Sequence, residues 1–60
     1  MPWIIVNMLE GRTPEMKRKL HDAVAEAASQ SLEIPKDRIR IQIVEMTPVD
    51  HSIGGKTSEK

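Results

Sequence analysis

The residue in this chain with the most chemical potential is its second, Pro2. Proline behind an initiator methionine is an ordinary substrate for methionine removal. Loss of Met1 would leave Pro2 with a free secondary amine, a base whose lone pair sits in a rigid ring. With Met1 retained, the same nitrogen is a tertiary amide and has no basicity.

The other groups able to do chemistry are few. Arg12 follows Gly11 at a break in an apolar run, where it is either a solvated turn residue or an anion-binding cation. Arg40 lies inside a strand-like stretch that should be buried, pointing opposite to its isoleucines. An arginine there needs a carboxylate or another anion as partner. That partner is either a glutamate of the chain or a substrate carboxylate gripped by the guanidinium fork. Arg38 lies on the same face nearer the strand end and reads as solvated. His51, in a polar loop, could exchange protons near neutrality, or be surface; His21 reads as helix flank. No spacing suggests a nucleophile triad or paired acid–base carboxylates. The Gly54-Gly55 pair is too short and too late to be a phosphate loop.

The elements that must position these groups are legible in order. Trp3–Leu9 (WIIVNML) is apolar and β-branched, which predicts a strand with two largely apolar faces. Gly11 supplies the turn. Thr13 is a helix N-cap and Pro14 fits the first helical position. Met16, Leu20, Ala23, Val24, Ala27, Ala28 and Leu32 (or Ser31) then recur at three- and four-residue steps, predicting an amphipathic helix of about five turns. Glu15–Lys19 and Arg18–Asp22 are spaced to pair. Pro35 ends the helix by restricting Ile34. Residues 38–46 (RIRIQIVEM) alternate as a second strand. Residues 47–51 form a loop or single turn, residues 52–56 a tight glycine hairpin, and residues 57–60 a polar tail that frays.

The fold class is therefore α/β (α+β), a short β-α-β unit with a C-terminal hairpin. A long helical crossover favours two parallel strands in a right-handed unit. One helix covers one face of a two-stranded sheet. The other face, with Trp3, Ile5 and Leu9 or their neighbours, is left bare and calls for a partner.

Size sharpens that expectation. Sixty residues make a single domain, 1–60, or 2–60 once Met1 is removed. A chain this short buries only ~60% of its unfolded surface and usually needs a disulfide, a metal or oligomerisation. It has no cysteine, and its two histidines do not form a ligand cluster, so self-association is the expected remedy, in a closed symmetric assembly. Nine basic and nine acidic residues cancel, which argues against a nucleic-acid partner. No segment reads as a signal peptide or as the ~20 apolar residues of a membrane span. The expected setting is soluble and cytoplasmic, with no membrane partner.

Taken together, the chain resembles the 4-oxalocrotonate tautomerase family over essentially its whole length. The resemblance is carried by Met1-Pro2 before a strand, Leu9-Glu10-Gly11-Arg12 before the helix and Arg40 in the second strand. Glu45-Met46 and Ile53-Gly54-Gly55 complete it. It implies a β-α-β fold assembled as a homohexamer, a trimer of dimers. It implies enol–keto tautomerisation of a small dienol carboxylate such as 2-hydroxymuconate, in catabolism of aromatic compounds. Pro2 matches the catalytic base. Arg12 and Arg40 match arginines that neighbouring subunits contribute to bind substrate, and Leu9 and Ile53 match positions lining an apolar pocket. His51 stands where the family usually has phenylalanine, so the pocket should be more polar and the substrate different or less favoured. Ser52 replaces a common glycine, and Trp3 is bulky beside the amine.

The implied mechanism needs neither metal nor organic cofactor. An α-amine has an ordinary pKa of roughly 8. An apolar site and nearby guanidinium groups lower it, toward the range where a general base works best. Pro2 would take the hydroxyl proton and return it to carbon, while Arg40 stabilises developing negative charge and Arg12 fixes the far end. Two alternatives share the scaffold. One is a hydratase or dehalogenase of unsaturated acids, with protonated Pro2 and an acidic residue that activates water; Ile53 stands where such a residue would be sought, while Asp50 and His51 remain nearby in sequence. The other is a non-catalytic subunit of a mixed oligomer.

Overall fold

The computed structural model describes residues 2–59, so the expected removal of Met1 and the end of the tail at Lys60 lie outside the described residues. Strand β1 (Trp3–Leu9) leads through a loop to helix α1 (Pro14–Leu32). The chain returns along strand β2 (Arg40–Met46) and ends in a small hairpin of β3 (Ser52–Ile53) and β4 (Lys56–Thr57). β1 and β2 pair in parallel through seven consecutive positions, from Trp3 opposite Arg40 to Leu9 opposite Met46. The amide of Glu10 extends the ladder by donating to the Met46 carbonyl at 2.9 Å.

Because side chains alternate along a strand, this register sorts the sheet into two faces. Ile4, Val6 and Met8 lie opposite Ile41, Ile43 and Glu45 on the helix side. All of these except Glu45 are half-buried. Trp3, Ile5 and Asn7 lie opposite Arg40, Gln42 and Val44 on the other side, and all six are exposed. Trp3 is 63% and Ile5 54% accessible. The uncovered apolar face expected from the sequence is present.

Helix α1 begins as Thr13 and Pro14 predict. The Thr13 hydroxyl accepts from the Met16 amide at 3.2 Å, and Pro14 is the first helical residue. The helix ends earlier than a proline stop at Ile34 would place it. Glu33 takes a left-handed conformation (φ 56°, ψ 48°), and its amide donates to the Ser29 carbonyl. The Ile34 amide donates to that carbonyl too, while the Ser29 hydroxyl donates to the Ile34 carbonyl at 2.6 Å. This closes the helix before Pro35 is reached.

Three further expectations are corrected. The helix turns Lys17, Leu20, His21, Val24, Ala25, Ala28 and Ser29 inward, each half-buried, while Ala23 and Ala27 face outward. Met16 and Leu32 are 52% and 54% exposed, so they are not part of the covered stripe. An ion pair that anchors the first turns, Lys17 Nζ to Glu45 Oε1 at 2.6 Å, accompanies this rotation. Secondly, β2 starts at Arg40, because residues 36–38 form a single 3-10 turn after Pro35, with amide-to-carbonyl bonds Arg38→Pro35 and Ile39→Lys36. Arg38 is therefore outside the sheet. Thirdly, the tail is held rather than frayed as far as Ser58, whose amide donates to the carbonyls of Pro48 (3.2 Å) and His51 (3.0 Å). The Glu15–Lys19 pair forms at 3.9 Å with both side chains largely solvated, where it contributes little. The Arg18–Asp22 pair is not formed.

The hairpin turn follows its glycines: Gly54 (φ 62°) and Gly55 (φ 87°) both occupy the left-handed region that a two-residue turn of this hand requires. A 3-10 turn over residues 48–50 joins β2 to the hairpin.

The single chain is not a packed unit. Its radius of gyration is 14.3 Å, against about 10 Å for a compact domain of this length. No described residue is fully buried. A fold that buries nothing completely and exposes a whole sheet face reaches its stability against another surface.

Candidate functional site

The backbones of Pro2 and Arg40 meet at the start of the sheet. The Arg40 amide donates to the Pro2 carbonyl at 3.1 Å, one rung before the Trp3–Arg40 pair. Pro2 is half-buried, and Arg40 is exposed on the bare face beside Trp3. This corrects the expectation of a buried Arg40: its face is uncovered within one chain, and no carboxylate of the described residues lies within ion-pairing distance of it. An internal ion pair for Arg40 is therefore not formed among the described residues, and its guanidinium is solvent-exposed.

Arg12 and Leu9 lie at the other end. From Pro2 to Leu9 the strand runs about 23 Å at ~3.3 Å per residue. Gly11 then turns the chain with φ 123°, a conformation open to glycine alone. This delivers Arg12, exposed, to the mouth of a shallow cavity of about 230 Å³. Met8, Met16, Lys17 and Leu20 complete its lining, giving a largely apolar floor with cationic groups at the rim. Lys17 is committed to Glu45, which leaves Arg12 as the lining cation with no ion-pair partner among the described residues. Leu9 is half-buried opposite Met46.

His51 and Ile53 belong to the hairpin region. Ile53 is 80% exposed, an apolar side chain held out into solvent by a two-residue strand. His51 is half-buried and its Nδ1 lies 2.7 Å from the Ser58 hydroxyl. That contact carried no signal in the sequence, where Ser58 is one polar residue of a short tail. Asp50 is occupied by the Thr47 hydroxyl, which donates to it at 3.0 Å. His21 lies on the inward stripe of the helix.

One chain thus presents three separate pieces: a proline with an arginine, an arginine over an apolar hollow, and a histidine–isoleucine edge. Among the described residues no cluster of three or more histidine, aspartate or glutamate side chains converges as a metal site. None of the described helices is long and apolar enough to cross a membrane.

Known proteins share this fold over nearly the whole chain. The family model described as Tautomerase enzyme matches residues 2–60. A 2-hydroxymuconate tautomerase of Pseudomonas putida is 42% identical over 60 residues, covering 100% of this chain and 95% of the relative. Among solved structures, the heterohexamer 4-oxalocrotonate tautomerase of Chloroflexus aurantiacus superposes with a TM-score of 0.92 at 33% identity, covering 97% of this chain and 94% of that one. A structure analysed for trans-3-chloroacrylic acid dehalogenase activity gives 0.88 at 28% identity, covering 97% and 100%. The β-α-β unit with its hairpin is that of the tautomerase enzymes, and this chain belongs to their family. It is a tautomerase, an isomerase of the 4-oxalocrotonate tautomerase kind.

Proposed function

We propose that this enzyme catalyses enol–keto proton transfer on a small unsaturated 2-hydroxy/2-oxo carboxylate or dicarboxylate such as 2-hydroxymuconate. The base is the amine of Pro2, freed by removal of Met1. Arg40 stabilises charge as it develops on the reacting oxygen and Arg12 holds the distal carboxylate. Leu9, His51 and Ile53 line the substrate. The observation that carries this reading is the exposure of Arg40 on the uncovered sheet face with no ion-pair partner among the described residues, which leaves its guanidinium free to meet the Pro2 amine of a neighbouring chain.

The separation of Arg12 from Pro2 along β1 supports a site shared between chains, and the exposed Trp3, Ile5 and Val44 supply the surface that would join them. Burying a fully exposed side chain of this kind contributes about 1.5–3 kcal/mol, and these three, already partly covered, would each gain roughly half of that or less on closing a partner surface. The assembly we infer is a homohexamer, a trimer of dimers. In it, apolar burial and two cations hold the Pro2 amine below its ordinary value, neutral enough to accept a proton.

The test has two parts. Intact mass should show a chain lacking Met1, and nitrogen-15 NMR of the assembled protein should show Pro2 losing its proton near neutrality. An amine still cationic well above neutrality leaves the enzyme without a base. Turnover of 2-hydroxymuconate should fall in step with dissociation on dilution; full activity from a monomer contradicts the shared site.

A second reading follows from the dehalogenase neighbour, in which protonated Pro2 assists hydration of an unsaturated acid. The engagement of Asp50 by Thr47 and the apolar Ile53 weigh against it, because each removes a candidate to activate water. Tautomerase and hydratase substrates assayed side by side separate the two. The heterohexamer relative supports a third reading, a subunit of a mixed assembly, which turnover by the purified single chain would exclude.

A further inference from the structure

The Ser58–His51 contact has no part in the chemistry above, yet it is built with some care. Ser58 is fixed by its own backbone, whose amide bridges the Pro48 and His51 carbonyls at 3.2 and 3.0 Å. Its hydroxyl lies 2.7 Å from His51 Nδ1, a short and therefore strong hydrogen bond across seven residues. An imidazole bonded at one ring nitrogen has its rotation set and its other nitrogen committed to a role. A hydroxyl that donates to Nδ1 leaves the ring proton on Nε2. In that tautomer the half-buried ring has Nε2–H as a donor, two residues from Ile53, which is 80% exposed.

Resting on the tautomerase reading and its placement of His51 against substrate, we propose that Ser58 is a positioning residue for His51. His51 Nε2–H then reads an oxygen on the substrate beyond the groups taken by the two arginines. The preferred substrate is accordingly a dienol acid bearing an extra oxygen-containing substituent, hydroxyl, oxo or carboxylate, on its carbon chain. A site whose polar donor is left without an acceptor discriminates against the plain substrate, since an unpaired polar group at a desolvated contact is costly.

The experiment compares 2-hydroxymuconate with its 5-carboxymethyl derivative in the assembled enzyme, in wild type and in His51→Phe, Ser58→Ala and Ser58→Thr. His51→Phe should lower kcat/KM on the substituted acid about tenfold, mainly through KM, and raise it on 2-hydroxymuconate. Ser58→Ala should move both in the same directions by about threefold, and Ser58→Thr, which keeps the hydroxyl, should restore wild-type preference. Nitrogen-15 spectra of the neutral His51 ring in wild type should place the proton on Nε2. Equal effects of His51→Phe on both acids, or a ring proton on Nδ1, would overturn the proposal while leaving the tautomerase intact. Wild-type protein that turns over neither acid would sink the tautomerase reading for this substrate class, and this inference with it.

Discussion

The two faces of the β1–β2 sheet both carry β-branched apolar side chains and meet different fates. On the helix side Ile4, Val6, Ile41 and Ile43 are half-covered by residues of the same chain. On the other side Trp3, Ile5 and Val44 lie in solvent beside Arg40 and Gln42. The covered face explains why the chain takes up a β-α-β unit at all. The open face is apolar enough to demand a partner, and it also carries the candidate guanidinium one rung from Pro2. Cover by the chain's own helix and exposure to a partner are thus divided between alternate residues of the same two strands.

The comparison breaks most visibly at the centre of the open face. Ile5→Asp would place a charge where a partner surface must close. It should abolish oligomerisation, read by sedimentation or light scattering, with turnover lost in parallel. Arg40→Ala leaves the apolar contacts in place; it should lower kcat/KM about 100-fold or more with the oligomer intact, whereas Lys19→Ala on the exposed helix surface should change neither. An Arg40→Ala enzyme of unchanged turnover would show that the fork does not meet substrate. On the covered face, Ile43→Ala should lower unfolding free energy by about 2 kcal/mol, the low end for such a truncation because the side chain is only half-buried. Its kcat per assembled site should stay near wild type, as measured by denaturant melts and steady-state assays.

The smallest effect lies away from both faces, at the Lys36–Glu26 pair, 2.6 Å apart. The hydrogen bond from Lys36, with one from Gln30, holds the Glu26 carboxyl below the ordinary carboxylate range, and Glu26 in turn raises the Lys36 ammonium. A lowered carboxyl pKa stabilises above the ordinary carboxylate value, and that contribution is lost as pH falls through the lowered one. A raised ammonium pKa stabilises below the ordinary amine value and is lost as pH climbs through the raised one. Glu26→Gln should therefore flatten the acid-side slope of thermal stability slightly, with assembly and turnover unchanged. Both side chains are substantially solvated, so the shift should be small.

Much of this architecture was legible because the local signals were strong. The β-branched run 3–9, the Thr13-Pro14 start and the Gly54-Gly55 turn each dictate backbone shape with little help from elsewhere. The bare face followed from counting one helix against two sheet faces. What escaped depended on contacts distant in sequence. Alanines at 23, 25, 27 and 28 spread over more than half of the helix circumference, so composition only weakly fixes its rotation. The inward stripe observed goes with an ion pair between Lys17 and Glu45, 28 residues apart. Arg38 looked like a strand residue because its neighbours alternate, while Pro35 instead starts a 3-10 turn that consumes it. Of the candidate site, only the backbones of Pro2 and Arg40 are neighbours, through the parallel register. Arg12, Leu9, His51 and Ile53 remain apart, since no pattern within one chain can bring together parts that belong at different ends of it.

The length of β1 has a genetic consequence. If one chain lends Pro2 to one crevice and Arg12 to another, damage at either end is confined to that contribution. Two variants, one spoiled at the amine and one at Arg12, would each be dead alone. Unfolded together and allowed to reassociate, they should regain part of the turnover by complementation, because some crevices draw only on the sound end of each parent.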